Sequence, residues 1–428
     1  MGKNYFIFDE NKCVGCEACV VACINENGLQ EPENWRNINK SNANKIPGLG
    51  LFNFSMSCNH CEEAVCMDNC PAEAYSRSLL TGAIIHEADK CIGCQYCTWN
   101  CPYDAPKYSF AEGVVSKCNF CEQRLIQNEQ PACVSTCPTG ALDFSSGEVD
   151  KTTLHNNLHL PINTIPSIEI IELRDSKGPK MDMSLFDPIE EEQKVVKHKK
   201  DITAADEVPL LIFTSVIAIM IPLYASINFN EASLISKIAF IATAGIASVL
   251  SLMHLGQKLR FWRAILNIRK SWLSREIFLF ATFSTSAFID LFIYNIPDYI
   301  ILIQGMLLLI AIDMLYRPVQ RNNKIKIHSA QAVFVALSFY LLFAGLYNVL
   351  LVIMLLRLAL FTILNLNKAK KNTAAIALRF TFVALAYVSL ALSFHYMLSI
   401  ALFAIGEFIA RINFYNGLSK LDMKKILN

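Results

Sequence analysis

The residues best suited to chemistry are sixteen cysteines, which lie between Cys13 and Cys137 in four groups of four. The groups are, in chain order, Cys13, Cys16, Cys19 and Cys23; Cys58, Cys61, Cys66 and Cys70; Cys91, Cys94, Cys97 and Cys101; and Cys118, Cys121, Cys133 and Cys137. The first and third groups have the spacing C-x2-C-x2-C-x3-C, in which three thiolates bind one 4Fe-4S cluster and the fourth binds a second cluster. The pattern therefore predicts iron-sulfur clusters.

Disulfides and zinc are the alternative uses of such cysteines. Disulfide frameworks are typical of secreted chains, and we expect no signal peptide before Cys13. Zinc sites also use C-x2-C pairs, but they close with two well-separated pairs. Groups one and three have a third cysteine three residues after the second, and groups two, three and four close with a cysteine that precedes a proline. Both features fit cubane clusters instead.

The fourth cysteine of a ferredoxin group binds the neighbouring cluster, so a nested repeat pairs group one with group four and group two with group three. We name the four resulting ligand sets. Set A is Cys13, Cys16, Cys19 and Cys137; set B is Cys23, Cys118, Cys121 and Cys133; set C is Cys58, Cys61, Cys66 and Cys101; set D is Cys70, Cys91, Cys94 and Cys97. Because a cysteine occupies every position, we expect four 4Fe-4S clusters and no 3Fe-4S cluster.

The composition indicates a protein that is part soluble and part membrane-embedded. The chain has 428 residues, 53% of them hydrophobic, and the apolar excess lies after residue 207. The formal net charge of +1 gives no indication of a nucleic-acid partner. We divide the chain into a ferredoxin-like domain, a charged linker and docking segment, a membrane anchor and a basic C-terminal tail, at residues 1–150, 151–207, 208–416 and 417–428.

Apolar segments of about 20 residues, the length that crosses a bilayer, recur from Val208 onwards. The run 330–366 is too long for one crossing, and Gly345 and Asn348 provide turn residues in its middle. The predicted spans are 208–227, 235–255, 277–295, 299–316, 329–346, 348–366, 374–394 and 396–413. The predicted fold class is an α+β four-cluster ferredoxin-like domain joined to an all-α transmembrane bundle of eight helices.

Basic residues are concentrated on one side of this predicted bundle. Lys and Arg clusters follow the second, fourth, sixth and eighth spans, and the opposite loops contain almost none. Since cytoplasmic loops carry the excess of Lys and Arg, both termini are predicted on the cytoplasmic face of the inner membrane.

Short motifs in both halves resemble one family of respiratory enzymes. In the first half these are SCNHC at 57–61, CPYDAPKY at 101–108 and CPTGAL at 137–142. In the second half they are HLG at 254–256, SWLSRE at 271–276 and GEFIAR at 406–411. The first half resembles the electron-transfer subunit of the dimethyl sulfoxide reductase family of molybdenum oxidoreductases, over about residues 4–170. The second half is similar to the membrane anchor subunit of that family, so the chain resembles a fusion of two subunits.

This resemblance implies a path for electrons. A quinol, menaquinol in particular, would be oxidised in the anchor, and electrons would pass through four clusters to a separate molybdopterin subunit that reduces an S- or N-oxide. Set D would lie nearest the membrane and set A nearest the catalytic partner. Well-known relatives place the catalytic side in the periplasm, so a periplasmic ferredoxin domain is the alternative to the cytoplasmic one that the charges predict.

The candidate quinol site consists of His254 and Glu276, as proton acceptors, with Trp272, Arg275 and Glu407 as further pocket residues. A neutral imidazole and a carboxylate can take the two protons of a quinol, and the family's quinol site lies on the corresponding histidine and glutamate. The alternative for His254 is a helix cap. The alternative for Glu407 is a structural ion pair with Arg379, accompanied by a second pair between Arg357 and Asp290.

Three alternatives concern the direction of electron flow, the metal that the cysteines bind and the presence of haem in the anchor. Electron flow could run in reverse, from a formate-, hydrogen- or sulfur-oxidising partner into the quinone pool. The cysteines could instead bind zinc in a membrane scaffold. A haem b anchor needs two axial histidines at matched depth, whereas His254 and His395 lie at opposite faces and His328 lies just outside a span, so we expect no haem.

The charge asymmetry gives a topology prediction. A reporter fused after Asn428 should register as cytoplasmic, and so should one in the loop around Arg263, because both follow even-numbered spans. A cysteine introduced at Asn323 should resist an impermeant thiol reagent added from the periplasm. Labelling of that cysteine from the periplasm would reverse the orientation.

Overall fold

The computed structural model describes residues 3–30, 33–40, 53–147, 164–171, 204–227, 231–317, 330–365, 373–391, 396–416 and 418. The chain forms two compact units, Met1–Lys200 with Lys420–Asn428, and Asp201–Ser419. His328, His395, the basic tail from residue 419 and most of the predicted linker lie outside the described residues.

Short strands and helices make up the first unit. Its strands are β1 Lys3–Asp9, β2 Asn37–Lys40, β3 Asn53–Met56, β4 Tyr75–Arg77, β5 Ile84–His86, β6 Lys107–Ser109, β7 Val114–Ser116, β8 Leu142–Gly147 and β9 Ile168–Ile171. Its helices are α1 Ala18–Asn27, α2 Val65–Asp68, α3 Tyr96–Asn100, α4 Glu122–Leu125 and α5 Ala132–Ser135. The sheets are a three-stranded β8-β1-β9 and three two-stranded hairpins, β2-β3, β4-β5 and β6-β7.

Strand β1 organises the hydrophobic core of this unit. Phe6 and Phe8 alternate along the strand and are buried, which is the period-two pattern of a half-buried strand. Phe6 contacts Phe120 and Phe144 edge-on, and Phe8 contacts Phe54 in the same way. The aromatic residues near the start of the chain therefore anchor this strand in the core.

The segment predicted to dock on the ferredoxin domain contributes a strand to it. Strand β9 runs parallel to β1, with Phe6 opposite Ile168. The loop before β9 is fixed as well, since the hydroxyls of Tyr103 and Thr164 are hydrogen-bonded at 2.7 Å. Parallel pairing between segments so far apart leaves no turn signal in the sequence, so only the apolar character of this stretch was predictable.

The second unit consists of helices. They are α6 Val208–Ser226, α7 Leu234–Leu252, α8 Trp272–Phe292, α9 Asp298–Leu315, α10 Ala332–Phe343, α11 Tyr347–Asn365, α12 Thr373–Ala391 and α13 Tyr396–Asn416, with a 3-10 segment at Lys258–Ile265. Among the described residues, α6, α7, α9 and α13 are long and apolar enough to cross a membrane. The predicted break in the run 330–366 is present, because Gly345 has φ +72° between α10 and α11.

The structure moves one predicted boundary at the candidate quinol site. Helix α8 begins at Trp272, five residues before the predicted span, because the Ser271 hydroxyl accepts a hydrogen bond from the Ser274 amide and caps the helix. Glu276 therefore lies inside α8 and does not open it. His254 lies two residues beyond the end of α7.

A glycine allows close contact between α12 and α13. A Cβ atom at Gly406 would lie 2.9 Å from Val383 Cγ2 and 3.3 Å from the Arg379 carbonyl oxygen. Gly245 in α7 provides the contrast, because a Cβ atom there would meet nothing within 4 Å.

Substitution at these two glycines should have opposite effects on stability. Gly406→Ala should destabilise the protein by about 1–3 kcal/mol through overpacking. Gly245→Ala should be neutral or stabilising by about 0.5–1 kcal/mol, since alanine favours the helix. Thermal unfolding in detergent measures both. An equal rise of the two midpoints would contradict the packing argument.

Candidate functional site

The four cysteine groups share one backbone conformation. In each group the residue before the second cysteine has a positive φ, namely Gly15 at +70°, His60 at +43°, Gly93 at +71° and Phe120 at +64°. A left-handed residue here turns the chain sharply between two ligands. Glycine adopts this conformation without strain, whereas His60 and Phe120 must be held in it by their surroundings.

The side chains of His60 and Phe120 stabilise each other's position. Their rings stack with centroids 3.6 Å apart and an interplanar angle of 25°, and both side chains are buried. His60 Nδ1 also accepts a hydrogen bond from the Ile84 amide at 2.9 Å, so the ring proton lies on Nε2. Burial, reinforced by the cations Lys117 and Arg77, holds the pKa of His60 well below its usual value. The neutral ring is therefore a structural element, which the sequence analysis did not identify.

Each of the four cysteine sets contains residues that are electrostatic neighbours in the structure. Electrostatic interactions connect Cys13 with Cys16, Cys19 and Cys137 in set A, and Cys23 with Cys121 and Cys133 in set B. They also connect Cys61 with Cys58, Cys66 and Cys101 in set C, and Cys97 with Cys70, Cys91 and Cys94 in set D. All sixteen are free thiols.

Contacts between sets place them in a row. Cys19 of set A and Cys133 of set B belong to one buried cluster, and Cys118 of set B and Cys58 of set C belong to another. Tyr75 is buried between sets C and D, where its hydroxyl interacts with Cys66, Cys70 and Cys97. The order along the row is therefore A, B, C and D.

Hydrogen-bond donors surround several of the sulfur atoms. The Ala74 amide lies 3.4 Å from Cys70 Sγ, and the Gly93 amide lies 3.4 Å from Cys91 Sγ. Asn27 Nδ2 lies 3.8 Å from Cys23 Sγ and 4.0 Å from Cys121 Sγ. Donors of this kind stabilise negative charge on sulfur and help to set cluster potentials.

Burial favours the neutral form of several of these thiols. Burial raises the pKa of Cys23 to about 12, and burial followed by repulsion from Cys58 raises the pKa of Cys101 to about 12. A positively charged iron core would offset both effects. Within the described residues no three ligand side chains converge on a single ion, and a 4Fe-4S cluster requires no such convergence because each thiolate binds its own iron. The donor sets therefore fit 4Fe-4S clusters.

The helical unit places the candidate quinol residues in different surroundings. Glu276 is 3% exposed, and its Oε2 atom has no hydrogen-bond partner among the described residues. Its electrostatic neighbour is Arg411 of α13. His254 Nδ1 donates a hydrogen bond to the Ser251 carbonyl oxygen, which is the contact of a helix cap. No described hydrogen bond or ion pair joins His254 to Glu276.

The side chains of Trp272 and Arg275 contact each other at the start of α8. The Arg275 guanidinium lies 4.3 Å from the Trp272 ring centroid. It donates hydrogen bonds to the carbonyl oxygens of Ile268, at 3.0 Å, and Arg269, at 2.5 Å. These contacts fix the turn that precedes Glu276.

Glu407 forms a buried ion triad with two arginines. Arg357 binds it through two hydrogen bonds, of 3.0 and 2.7 Å, and Arg379 lies 3.6 Å away. The expected pair of Glu407 with Arg379 is present. The expected pair of Arg357 with Asp290 is wrong, because Asp290 accepts hydrogen bonds from the Tyr224 hydroxyl at 2.5 Å and the Ile296 amide at 2.8 Å.

Arg411 was not among the predicted site residues. It is 3% exposed and donates hydrogen bonds to Thr214 Oγ1 at 3.2 Å and to the Ala330 carbonyl oxygen at 2.7 Å. Its Nη2 atom has no hydrogen-bond partner among the described residues. Thr214, Ser215, Glu407 and Arg411 are the polar residues that line a mainly apolar cavity of about 330 Å³ between α6, α10 and α13.

Comparison with known proteins agrees with the cysteine geometry. Residues 50–147 match the family model of the 4Fe-4S dicluster domain. The protein is 34% identical to the B subunit of anaerobic dimethyl sulfoxide reductase from Escherichia coli K12 over 154 residues, which are 34% of this protein and 74% of that one. It is 38% identical to the B subunit of polysulfide reductase from Wolinella succinogenes over 162 residues, 37% of this protein and 84% of that one.

A third relative is the formate dehydrogenase-O iron-sulfur subunit of Escherichia coli K12, with 32% identity over 162 residues that cover 34% of this protein and 54% of that one. These matches and the four cysteine groups show iron-sulfur chemistry in the first half, next to a helical second half. The protein belongs to the family of iron-sulfur electron-transfer subunits that includes the B subunits of dimethyl sulfoxide reductase and polysulfide reductase.

Proposed function

We propose that this protein oxidises a quinol in its helical unit and carries the electrons through four 4Fe-4S clusters to a separate molybdopterin subunit. Menaquinol is the expected donor, and a small S- or N-oxide is the expected terminal acceptor. The observation that carries this proposal is the uninterrupted row of cysteine sets A, B, C and D, because a row of neighbouring clusters is what one-electron transfer over a long distance needs. Two of the relatives are subunits of multi-subunit reductases, which supports a separate partner subunit here as well.

The residues in and around the four cysteine sets would bind the clusters, exclude water from them and maintain the conformation of the ligand loops. Each thiolate of a set would hold one iron, and the clusters would accept and pass on one electron at a time. Buried side chains such as Tyr75, Tyr96 and Trp99 exclude water from sets C and D. The stacked rings of His60 and Phe120 keep the loops of sets C and B in their left-handed conformation.

We place the quinol near Glu276 and Arg411. A quinol gives up two protons with its two electrons, so its oxidation needs a nearby acceptor that no other group occupies. The Glu276 carboxylate has one such oxygen, and the Arg411 guanidinium next to it has a donor for a quinone carbonyl oxygen. We retain His254 as the second acceptor, because its Nε2 atom is not engaged by the cap on Nδ1.

We further propose that all eight helices cross the inner membrane, with the ferredoxin domain on the cytoplasmic side. Four of the helices satisfy the length and composition requirements, and the positive loops favour this orientation. Electron flow in the opposite direction is the second candidate, which the similarity to a formate dehydrogenase iron-sulfur subunit favours.

Metal analysis provides the first test. Protein purified without oxygen should contain about sixteen irons and about as many acid-labile sulfides, because each of four complete ligand sets holds one cubane. Cys97→Ala should remove or convert the cluster of set D and slow quinol-linked turnover, whereas Ser135→Ala, at an exposed serine of α5, should change neither. Zinc in place of iron, with no acid-labile sulfide, would refute the proposed function.

Electron donors of two kinds test the quinol site. In membranes that contain Glu276→Gln, a quinol analogue should drive turnover at least tenfold more slowly, because the amide cannot accept a proton. A positioned general base contributes about 10²–10⁴ in rate. A reduced viologen dye that feeds the catalytic partner directly should be used at the normal rate.

Two further variants complete this comparison. His254→Ala should lose quinol-driven turnover if the histidine accepts a proton, but should only lower thermal stability if it is a helix cap. Glu231→Gln, at an exposed carboxylate before α7, should behave as wild type with both donors. Normal quinol rates in both the Glu276 and His254 variants would place the site elsewhere.

A further inference from the structure

The side chain of Arg36, immediately before β2, is a buried cation without an acidic partner. It is 2% exposed, and it donates hydrogen bonds to Ser55 Oγ at 3.0 Å and Ser57 Oγ at 2.8 Å. Its guanidinium also lies 4.8 Å from the Phe6 ring centroid. No aspartate or glutamate forms an ion pair with it in the described part of the chain. A buried charge in such surroundings is costly unless a negative group compensates it.

The compensating groups are cysteines of two ligand sets. Arg36 interacts electrostatically with Cys133, Cys118 and Cys23 of set B, and with Cys19 of set A. Although burial alone would lower the pKa of Arg36, these sulfur atoms raise it, so the guanidinium stays charged. Arg36 therefore lies between the two sets at one end of the row.

A serine connects Arg36 to set A. The Ser55 hydroxyl oxygen accepts a hydrogen bond from Arg36, and the same oxygen lies 3.6 Å from Cys19 Sγ. Because the oxygen already accepts from the guanidinium, the hydroxyl hydrogen is available to the sulfur. Polarisation by the cation strengthens such a donor.

We propose that Arg36 raises the reduction potentials of the clusters held by sets A and B. Reduction adds one electron to a cluster that its thiolate ligands already make negative, and a fixed positive charge stabilises the product more than the starting state. When an electron passes from set C to set B, the donor cluster is oxidised by one electron, the acceptor is reduced by one, and no proton moves. Arg36 thus favours electrons at the A and B end.

Lys117 provides an internal comparison. It is 3% exposed, and its ammonium group donates hydrogen bonds to the carbonyl oxygens of Cys118, at 2.9 Å, and Ile84. Its charge acts on Cys66 of set C and lies 6.0 Å from the Tyr75 ring centroid. Two buried cations thus lie next to different ligand sets.

A structural role for Arg36 must be distinguished from an electrostatic one. Its hydrogen bonds to Ser55 and Ser57 also fix β3, so removal of the side chain could disturb folding. Arg36→Lys keeps the positive charge but not the two-pronged hydrogen bonding. Ser57→Ala removes one hydrogen bond and leaves the charge in place. A purely structural role predicts similar effects of all these changes.

The experiment is a redox titration of the purified complex followed by electron paramagnetic resonance. In Arg36→Met, the midpoints of two of the four clusters should become more negative, each by at least a tenfold change in the reduction equilibrium, about 59 mV for one electron. Arg36→Lys and Ser57→Ala should keep midpoints near those of wild type. Lys117→Met should shift a cluster that Arg36→Met leaves unchanged.

Several results would overturn the proposal. These are unchanged midpoints in an Arg36→Met protein with full iron content, an equal shift of all four clusters, or a loss in Arg36→Lys as large as that in Arg36→Met. If Arg36→Met fails to assemble, Ser55→Ala provides the test. This variant should lower the midpoint of the set A cluster alone, and an unchanged midpoint of that cluster would overturn the proposal. The inference rests on the proposed clusters, but iron analysis of the wild type tests those separately.

Discussion

Burial of the ligand cysteines is the constraint on which the first unit depends. Sixteen cysteines lie within 125 residues, and ligand cysteines such as Cys19 and Cys133 are part of the hydrophobic core itself. The strands around them are three to seven residues long, too short to form a core on their own. The same groups thus supply both the core and the ligands, so cluster assembly and folding should be coupled. Amide donors, Arg36 and Lys117 reduce the remaining cost of the negative charge.

How far the cluster loops could be predicted depended on the residue type at one position. Glycine is the residue that favours a tight turn, and Gly15 and Gly93 are left-handed in the structure. At the equivalent positions of the other two groups, His60 and Phe120 carry no such signal. Their conformation is maintained by stacking across 60 residues of sequence, a tertiary contact that local preferences cannot reveal. Alignment of the four groups on their first two cysteines could have found the position, though not the stacking.

In the helical unit, too, local sequence features predicted the elements but not the contacts between them. Segment length and hydrophobicity predicted the eight helical segments, and a serine cap accounts for the earlier start of α8. The sequence position of a charged residue indicates how far along its own helix it lies. It does not indicate which residue of a neighbouring helix it contacts. Arg357 and Asp290 were therefore paired incorrectly, and the contact of Arg411 with Thr214, almost 200 residues away, was not predicted. These contacts depend on helix packing, and the sequence period describes only which face of a helix is apolar.

The two buried carboxylates Glu276 and Glu407 of this unit differ in how their charge is compensated. Glu407 accepts a hydrogen bond from Arg357 at each oxygen, and Arg379 lies 3.6 Å from one of them, so two cations surround this carboxylate. Glu276 is equally buried, yet one of its oxygens has no described partner, and its nearby cation, Arg411, also has a donor without one. Leaving two such groups unsatisfied in an apolar bundle destabilises the fold. The arrangement supports the proposed quinol site, because a quinol can give a proton to Glu276 and its quinone product can accept a hydrogen bond from Arg411.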